Sequence, residues 1–217
     1  MHMDELKAQR IWVCFVIRKK DGRFDKKPIS AYGTETGSDA DHAHTWVTYD
    51  EAVKAMKEKG YDGVGFALPE GFFFIDIDHR ELTDPFLVML LERFASYTEY
   101  SYSGDGVHIY GICDISKIPT YIDQKGKLRL DKAFYQKNPN NKVELYCGGI
   151  TNRFAVFTGN VIRDEPLKEC TEALLTTLDK NMRKKEKQKY SAKRDGGDKE
   201  VFDIVASAVV VEAGSSE

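Results

Sequence analysis

The sequence predicts a mixed α/β (α+β) protein with one principal domain. Two observations carry that expectation. Short apolar runs rich in β-branched and aromatic residues, such as IWVCFVI (11–17), FFFIDID (72–78) and FAVF (154–157), recur between turn-forming residues. Among them lie segments with helix caps and helical apolar spacing. A chain of 217 residues can bury a sizeable core. Its 31% charged and 41% hydrophobic residues suit a globular protein, and no apolar stretch reaches bilayer-spanning length. The N-terminal MHMDELKAQR lacks the layout of a signal peptide, so a cytoplasmic location without membrane contact is expected.

IWVCFVI reads as a strand and KKDGRFDKKP as the turn and extended loop after it, since Asp21-Gly22 and Pro28 interrupt the pattern. Residues 30–45 show no period and many turn formers, which predicts a surface loop. Thr48 with Glu51 forms a capping-box signature for a helix ending at Gly60. GVGFAL and FFFIDID, separated by PEG, read as a hairpin. Thr83 and Pro85 then open a helix through FLVMLLERFA to about Ala95. TEYSYSGDGVHIYGIC gives strand, glycine loop and strand, while 114–142 reads as a long loop. VELY and FAVFTG, joined by CGGITNR, form another expected hairpin. A final helix follows Glu165-Pro166, carrying Leu167, Leu174, Leu175 and Leu178. The expected division is a domain over 1–180, then a basic helix or linker and the beginning of a truncated next domain over 181–217.

The cysteines Cys14, Cys113, Cys147 and Cys170 form no CxxC pair, so no zinc site or redox motif is expected. Formal net charge is −3, so any contact with nucleic acid must rest on a local patch. In FFFIDID, Asp76 and Asp78 are two apart on a strand and share a face, with Ile75 and Ile77 on the other. Two poorly solvated carboxylates repel each other unless one takes a proton or a cation intervenes, and magnesium prefers such oxygen ligands. Alternatively the strand ends at Asp76 and both acids are solvated. Glu144 in VELY offers a third carboxylate, or an exposed residue of an edge strand. In YSGDGVHIYG a strand follows the glycines, so neither a P-loop nor a dinucleotide motif fits. The loop at Ser103 and Gly104 can form a backbone anion nest, with His108 donating to a phosphate oxygen; or it is a hairpin turn with a packed histidine. Arg153 suits a phosphate clamp or a surface ion pair.

Taken in order, FFFIDID, SGDGVH and VELY resemble the archaeo-eukaryotic primase superfamily, in particular the primase-polymerases of phages and plasmids. KKP (26–28), TWVTYDEA (45–52), SYTEYSYSG and RFAVFTG extend the resemblance over roughly residues 10–165. It implies an archaeo-eukaryotic primase fold, with an RRM-like palm sheet bearing the acids and a second α/β subdomain. It implies Asp76, Asp78 and Glu144 as ligands of two Mg²⁺ or Mn²⁺ ions, and Ser103 and His108 as holders of a nucleoside triphosphate, with Arg153 beside them. Glu144 departs from the more frequent aspartate, and no zinc-binding cysteine cluster or helicase region accompanies the motifs.

The implied activity is template-directed nucleotidyl transfer, as DNA primase and polymerase, in the cytoplasm of a bacterial or phage-infected cell. Expected partners are a single-stranded DNA template, a primer, nucleoside triphosphates and a helicase domain or protein; a monomer is expected. Lys26, Lys27 and Arg18 are candidate walls of a template groove, with Phe24 or Tyr32 stacking on bases. Tyr146, two residues after Glu144, shares its face and is placed beside the incoming sugar or in packing. The rivals are a single-strand-binding initiator module without catalysis and a two-metal nuclease; a nuclease's lysine two residues beyond the second acid is missing from ELYC.

Overall fold

The computed structural model describes residues 1–20, 22–151 and 153–185. Most of the expected domain boundary region, 186–217, lies outside the described residues, and Met1–Arg183 forms one unit. Helix α1 (Met3–Lys7) precedes β1 (Trp12–Lys20), which turns directly into β2 (Arg23–Ile29). The extended loop expected at KKDGRFDKKP is therefore a strand, paired with β1 from Cys14↔Ile29 to Lys20↔Arg23. Pro28 is tolerated because β2 is the edge of its sheet, where a missing N–H costs no ladder bond.

The 30–45 loop is present and carries a short 3₁₀ turn at Ala40–Thr45. Helix α2 (Tyr49–Lys59) begins at the Thr48–Glu51 capping box and ends at Gly60, whose φ of 67° closes the αL cap. β3 (Gly63–Ala67) and β4 (Phe72–Ile77) follow, yet they do not pair. β3 joins a four-stranded sheet ordered β11-β3-β1-β2, where β11 is Phe154–Phe157. β4 sits in a second, six-stranded sheet. Its order is β12-β5-β6-β4-β10-β9, from β5 (Thr98–Tyr100), β6 (Val107–Ile112), β9 (Lys137–Asn138), β10 (Val143–Cys147) and β12 (Val161–Arg163).

The second expected hairpin fails in the same way. β10 pairs with β4 and β11 with β3, so both segments cross from one sheet to the other side by side. Gly148 lies where they meet: a Cβ there would fall 1.9 Å from the Pro69 carbonyl oxygen and 2.6 Å from that of Leu68. Only a residue without a side chain allows the two crossovers to touch.

Helix α3 (Pro85–Phe94) is capped by Asp84 rather than Thr83. The Asp84 carboxylate accepts from the N–H groups of Phe86 and Leu87 at 2.8 and 3.0 Å, with Pro85 at the first helical position. The expected long loop over 114–142 instead contains a hairpin of β7 (Thr120–Ile122) and β8 (Leu128–Leu130), then β9. Helix α4 (Thr171–Thr177) starts later than Pro166 because Lys168 and Glu169 run beside β6, where the Lys168 carbonyl accepts from Ile112 N–H at 2.9 Å. It continues into a π turn at Leu178–Met182.

The six-stranded sheet is apolar on both faces. Phe73, Ile75, Ile77, Val107, Ile109, Val143 and Leu145 pack with Leu87, Leu90 and Phe94 of α3 and Leu174 and Leu178 of the C-terminal helical segment. Residues of the other alternation, Phe74, Tyr110 and Tyr146, join a second core with Trp12, Phe66 and Phe157 of the four-stranded sheet. Burying each large side chain contributes about 1.5–3 kcal/mol relative to exposure. The second face therefore stays dry until its strands reach the acids. Among the described residues, no helix is long and apolar enough to cross a membrane.

Candidate active-site cleft

One residue from each of five neighbouring strands forms a row across the sheet. Glu99 (β5) lies opposite His108 (β6), His108 opposite Asp76 (β4), Asp76 opposite Glu144 (β10), and Glu144 opposite Lys137 (β9). Directly opposed residues bring their Cβ atoms to about 4.5–5.5 Å. The register thus assembles three acids, a histidine and a lysine drawn from residues 76 to 144. The run FFFIDID tolerates its acids because of alternation: Ile75 and Ile77 enter the helix-side core, while Phe74 and Asp76 face the other sheet.

Asp76, His108 and Tyr146 line a cleft of about 910 Å³ whose other sheet supplies Arg18, Lys19, Lys26 and Lys27, with Arg153 preceding β11. Asp25 and Asp39 also line it and temper the positive charge. Phe24 beside them is 78% exposed. The Arg153 guanidinium lies 5.0 Å over the Tyr146 ring, and that ring stacks on Phe74 at 4.7 Å.

His108 is buried. Its Nε2 lies 3.5 Å from Asp76 Oδ1 and its Nδ1 3.6 Å from Glu99 Oε1. Burial alone would push the imidazole down, but the two carboxylates outweigh it and hold the ring up at about 9. For Asp76, burial works upward, yet His108, Lys26 and Lys137 bring the carboxyl below its ordinary value. Asp78 goes the other way: burial first, then Asp76 and Glu144, raise it. Glu144 accepts from Lys137 Nζ at 2.5 Å and from the Tyr146 hydroxyl. Burial, then Glu144, raises that phenol.

Among the described residues, no three His, Cys, Asp or Glu side chains are gathered closely enough to hold a metal ion as they stand, and Glu144 is engaged by Lys137. The donor chemistry nevertheless fits a hard divalent ion. Three carboxylates repel one another, and Asp76 Oδ1 is buried with no hydrogen-bond partner among the described residues.

Ser103 and Gly104 are held within their own turn. The Ser103 hydroxyl donates to Asp105 and lies 3.1 Å from Ser101 Oγ, and Gly104 N–H donates to the Ser101 carbonyl at 3.0 Å. Gly104 lines a separate cleft of about 510 Å³ with His79, Arg80 and Asp105. The row also contains Glu99, to which the sequence assigns no role. Glu99 sits in SYTEYSYSG, a segment that the resemblance covers without giving this residue a role, and only the pairing of β5 with β6 sets it against His108.

Fold and cleft together define a class: an antiparallel sheet bearing a row of acids, of which Asp76 lines a cleft with a basic opposite wall. No family model matches the chain. The chain is similar to a DNA primase-polymerase of Nitratiruptor phage NrS-1, with 31% identity over 184 residues. The match covers 81% of this chain and 23% of the phage protein, so the chain spans about a quarter of that relative's length.

Proposed function

We propose that this chain carries out template-directed nucleotidyl transfer, as the primase-polymerase module of a replication protein with an archaeo-eukaryotic primase fold. The observation that carries the reading is the position of Asp76, directly opposite both Glu144 and His108 on a cleft whose other side is basic. The similarity to the phage DNA primase-polymerase supports it.

In this reading Asp76, Asp78 and Glu144 hold two Mg²⁺ or Mn²⁺ ions, with Glu144 released from Lys137. When bound, such ions acidify the primer 3′-hydroxyl and neutralise charge on the departing pyrophosphate. His108, held protonated between two carboxylates, donates from Nε2 to a phosphate oxygen of the incoming nucleoside triphosphate. Arg153 adds a planar donor for the triphosphate, and its stacking on Tyr146 orients both beside the sugar. Lys26, Lys27 and Arg18 line the path of a single-stranded DNA template, and exposed Phe24 offers a ring for a base.

Extension of a labelled primer on a single-stranded template in Mg²⁺ or Mn²⁺ tests the proposal. Asp76→Ala and Asp78→Ala should reduce extension to background. Full extension by either variant would contradict the assignment of the acids. The Lys137–Glu144 pair favours a second reading, a strand-binding module without chemistry. Calorimetry separates the two, since only the enzyme should bind a nucleoside triphosphate in a divalent-ion-dependent manner.

A further inference from the structure

Glu99 is completely buried, and a buried carboxylate is costly unless it is fully hydrogen-bonded and paired. Part of its acceptor capacity is used by the backbone. Oε1 accepts from Thr158 N–H at 3.0 Å and Oε2 from Gly159 N–H at 3.0 Å, while the Tyr97 hydroxyl lies 3.5 Å from Oε2. Glu99 therefore ties the turn after β11, in one sheet, to β5 and β6 in the other. An uncharged acceptor would serve that turn at lower desolvation cost. The charge points to the remaining neighbour, His108.

The hydrogen-bond donors around Tyr110 constrain that neighbour. The Tyr110 hydroxyl has one proton and two acceptors in reach, the Val156 carbonyl at 2.7 Å and Glu99 Oε1 at 3.0 Å. His108 Nδ1 lies 3.3 Å from the same hydroxyl oxygen and 3.6 Å from Glu99 Oε1. A bare Nδ1 would add another lone pair to a cluster already short of donors. A proton on Nδ1 supplies the missing donor and leaves Nε2 facing Asp76 and the cleft.

We propose that Glu99 is a positioning residue: it holds the proton on Nδ1 of His108 and locks the ring between the sheets, so that Nε2 is presented to the cleft beside Asp76. The group that meets substrate is His108, and Glu99 acts only through it. The kinetic consequence rests on the function proposed above, whereas the placement of the proton does not.

The test uses ¹⁵N-histidine-labelled full chain, with the His108 signals assigned by their loss in His108→Gln. Wild-type protein should show a slowly exchanging proton directly bonded to His108 Nδ1. Glu99→Gln should lose or strongly shift that signal and raise the KM for nucleoside triphosphate by about 10- to 100-fold, the usual effect of removing an orienting partner, with a smaller change in kcat. Glu99→Asp should recover part of both. A purely structural role would lower the melting temperature of Glu99→Gln while leaving the Nδ1 signal and KM unchanged, and that outcome overturns the proposal. If Glu99→Gln does not fold, the wild-type spectrum decides alone: a His108 without a proton on Nδ1 overturns it equally. Absence of extension and triphosphate binding in wild-type protein would sink the polymerase reading, and the spectrum would still decide the role of Glu99.

Discussion

Asp76 and Asp78 are chemically identical, two residues apart, and placed in opposite electrostatic situations. Asp76 contributes to the folded state through His108, whereas Asp78 is ionised against burial and two other acids. Without divalent ions, Asp76→Asn should therefore destabilise the fold by about 1–3 kcal/mol, the scale of leaving buried His108 without its charged neighbour. Asp78→Asn should raise the melting temperature. Thermal unfolding in chelator measures both, and equal shifts of the same sign would contradict the asymmetry. The individual acids were legible because period-two alternation places Asp76 on one face whatever its neighbours are. Glu144 and His108 are set beside them only by the family resemblance, and Glu99 and Lys137 not at all, since these two join the row through strand pairing, which local sequence does not encode.

At the scale of elements, FFFIDID and VELY were recognisable as strands, but their partners were misassigned. PEG and CGGITNR carry ordinary turn residues, and nothing local distinguishes a turn that reverses the chain from one that passes it to another sheet. The contact that decides, Gly148 against Pro69, joins the two linkers themselves. The β7–β8 hairpin is not legible in the sequence because its segment is polar and its turn relies on one side chain beside the backbone bonds of Asp123 to Gly126 and Lys127. Asp123 accepts from the backbone N–H groups of Lys125 and Lys127 at 2.8 and 2.9 Å, and from Arg129 Nε at 2.9 Å. Lys127 N–H first, then Arg129, hold this carboxyl down at about 2, against 3.8 for an ordinary aspartate. A depressed folded value means that the contribution is complete above 3.8 and lost as pH falls toward 2. Amide exchange followed from pH 5 downward should show protection at Leu128–Leu130 falling in that window. In Asp123→Asn the protection should already be low at pH 5. Acid-independent protection in wild-type protein would show that the strands hold without the carboxylate.

For the whole molecule, a formal charge of −3 argues against a nucleic-acid partner, and the distribution of charge reverses that argument. At physiological ionic strength the Debye length is about 8 Å, so acids elsewhere on the surface are largely screened from a strand lying in the cleft. Such a strand would meet Arg18, Lys19, Lys26, Lys27 and Arg153, offset by Asp25, Asp39 and Asp76. Lys26 is further positioned by the Tyr102 ring, 5.1 Å from its ammonium. Each lysine that neutralises a phosphate of a single strand contributes about 0.7 to the slope of log affinity against log salt. Lys26→Ala and Lys27→Ala should each make that slope shallower by about 0.7 for single-stranded DNA. Lys54→Ala, on the exposed face of α2 beside Glu58, should leave it unchanged. Fluorescence anisotropy over a salt series measures the slopes. If the cleft lysines and Lys54 behave alike, binding follows the overall charge rather than the cleft, and the template path must be sought elsewhere on the surface.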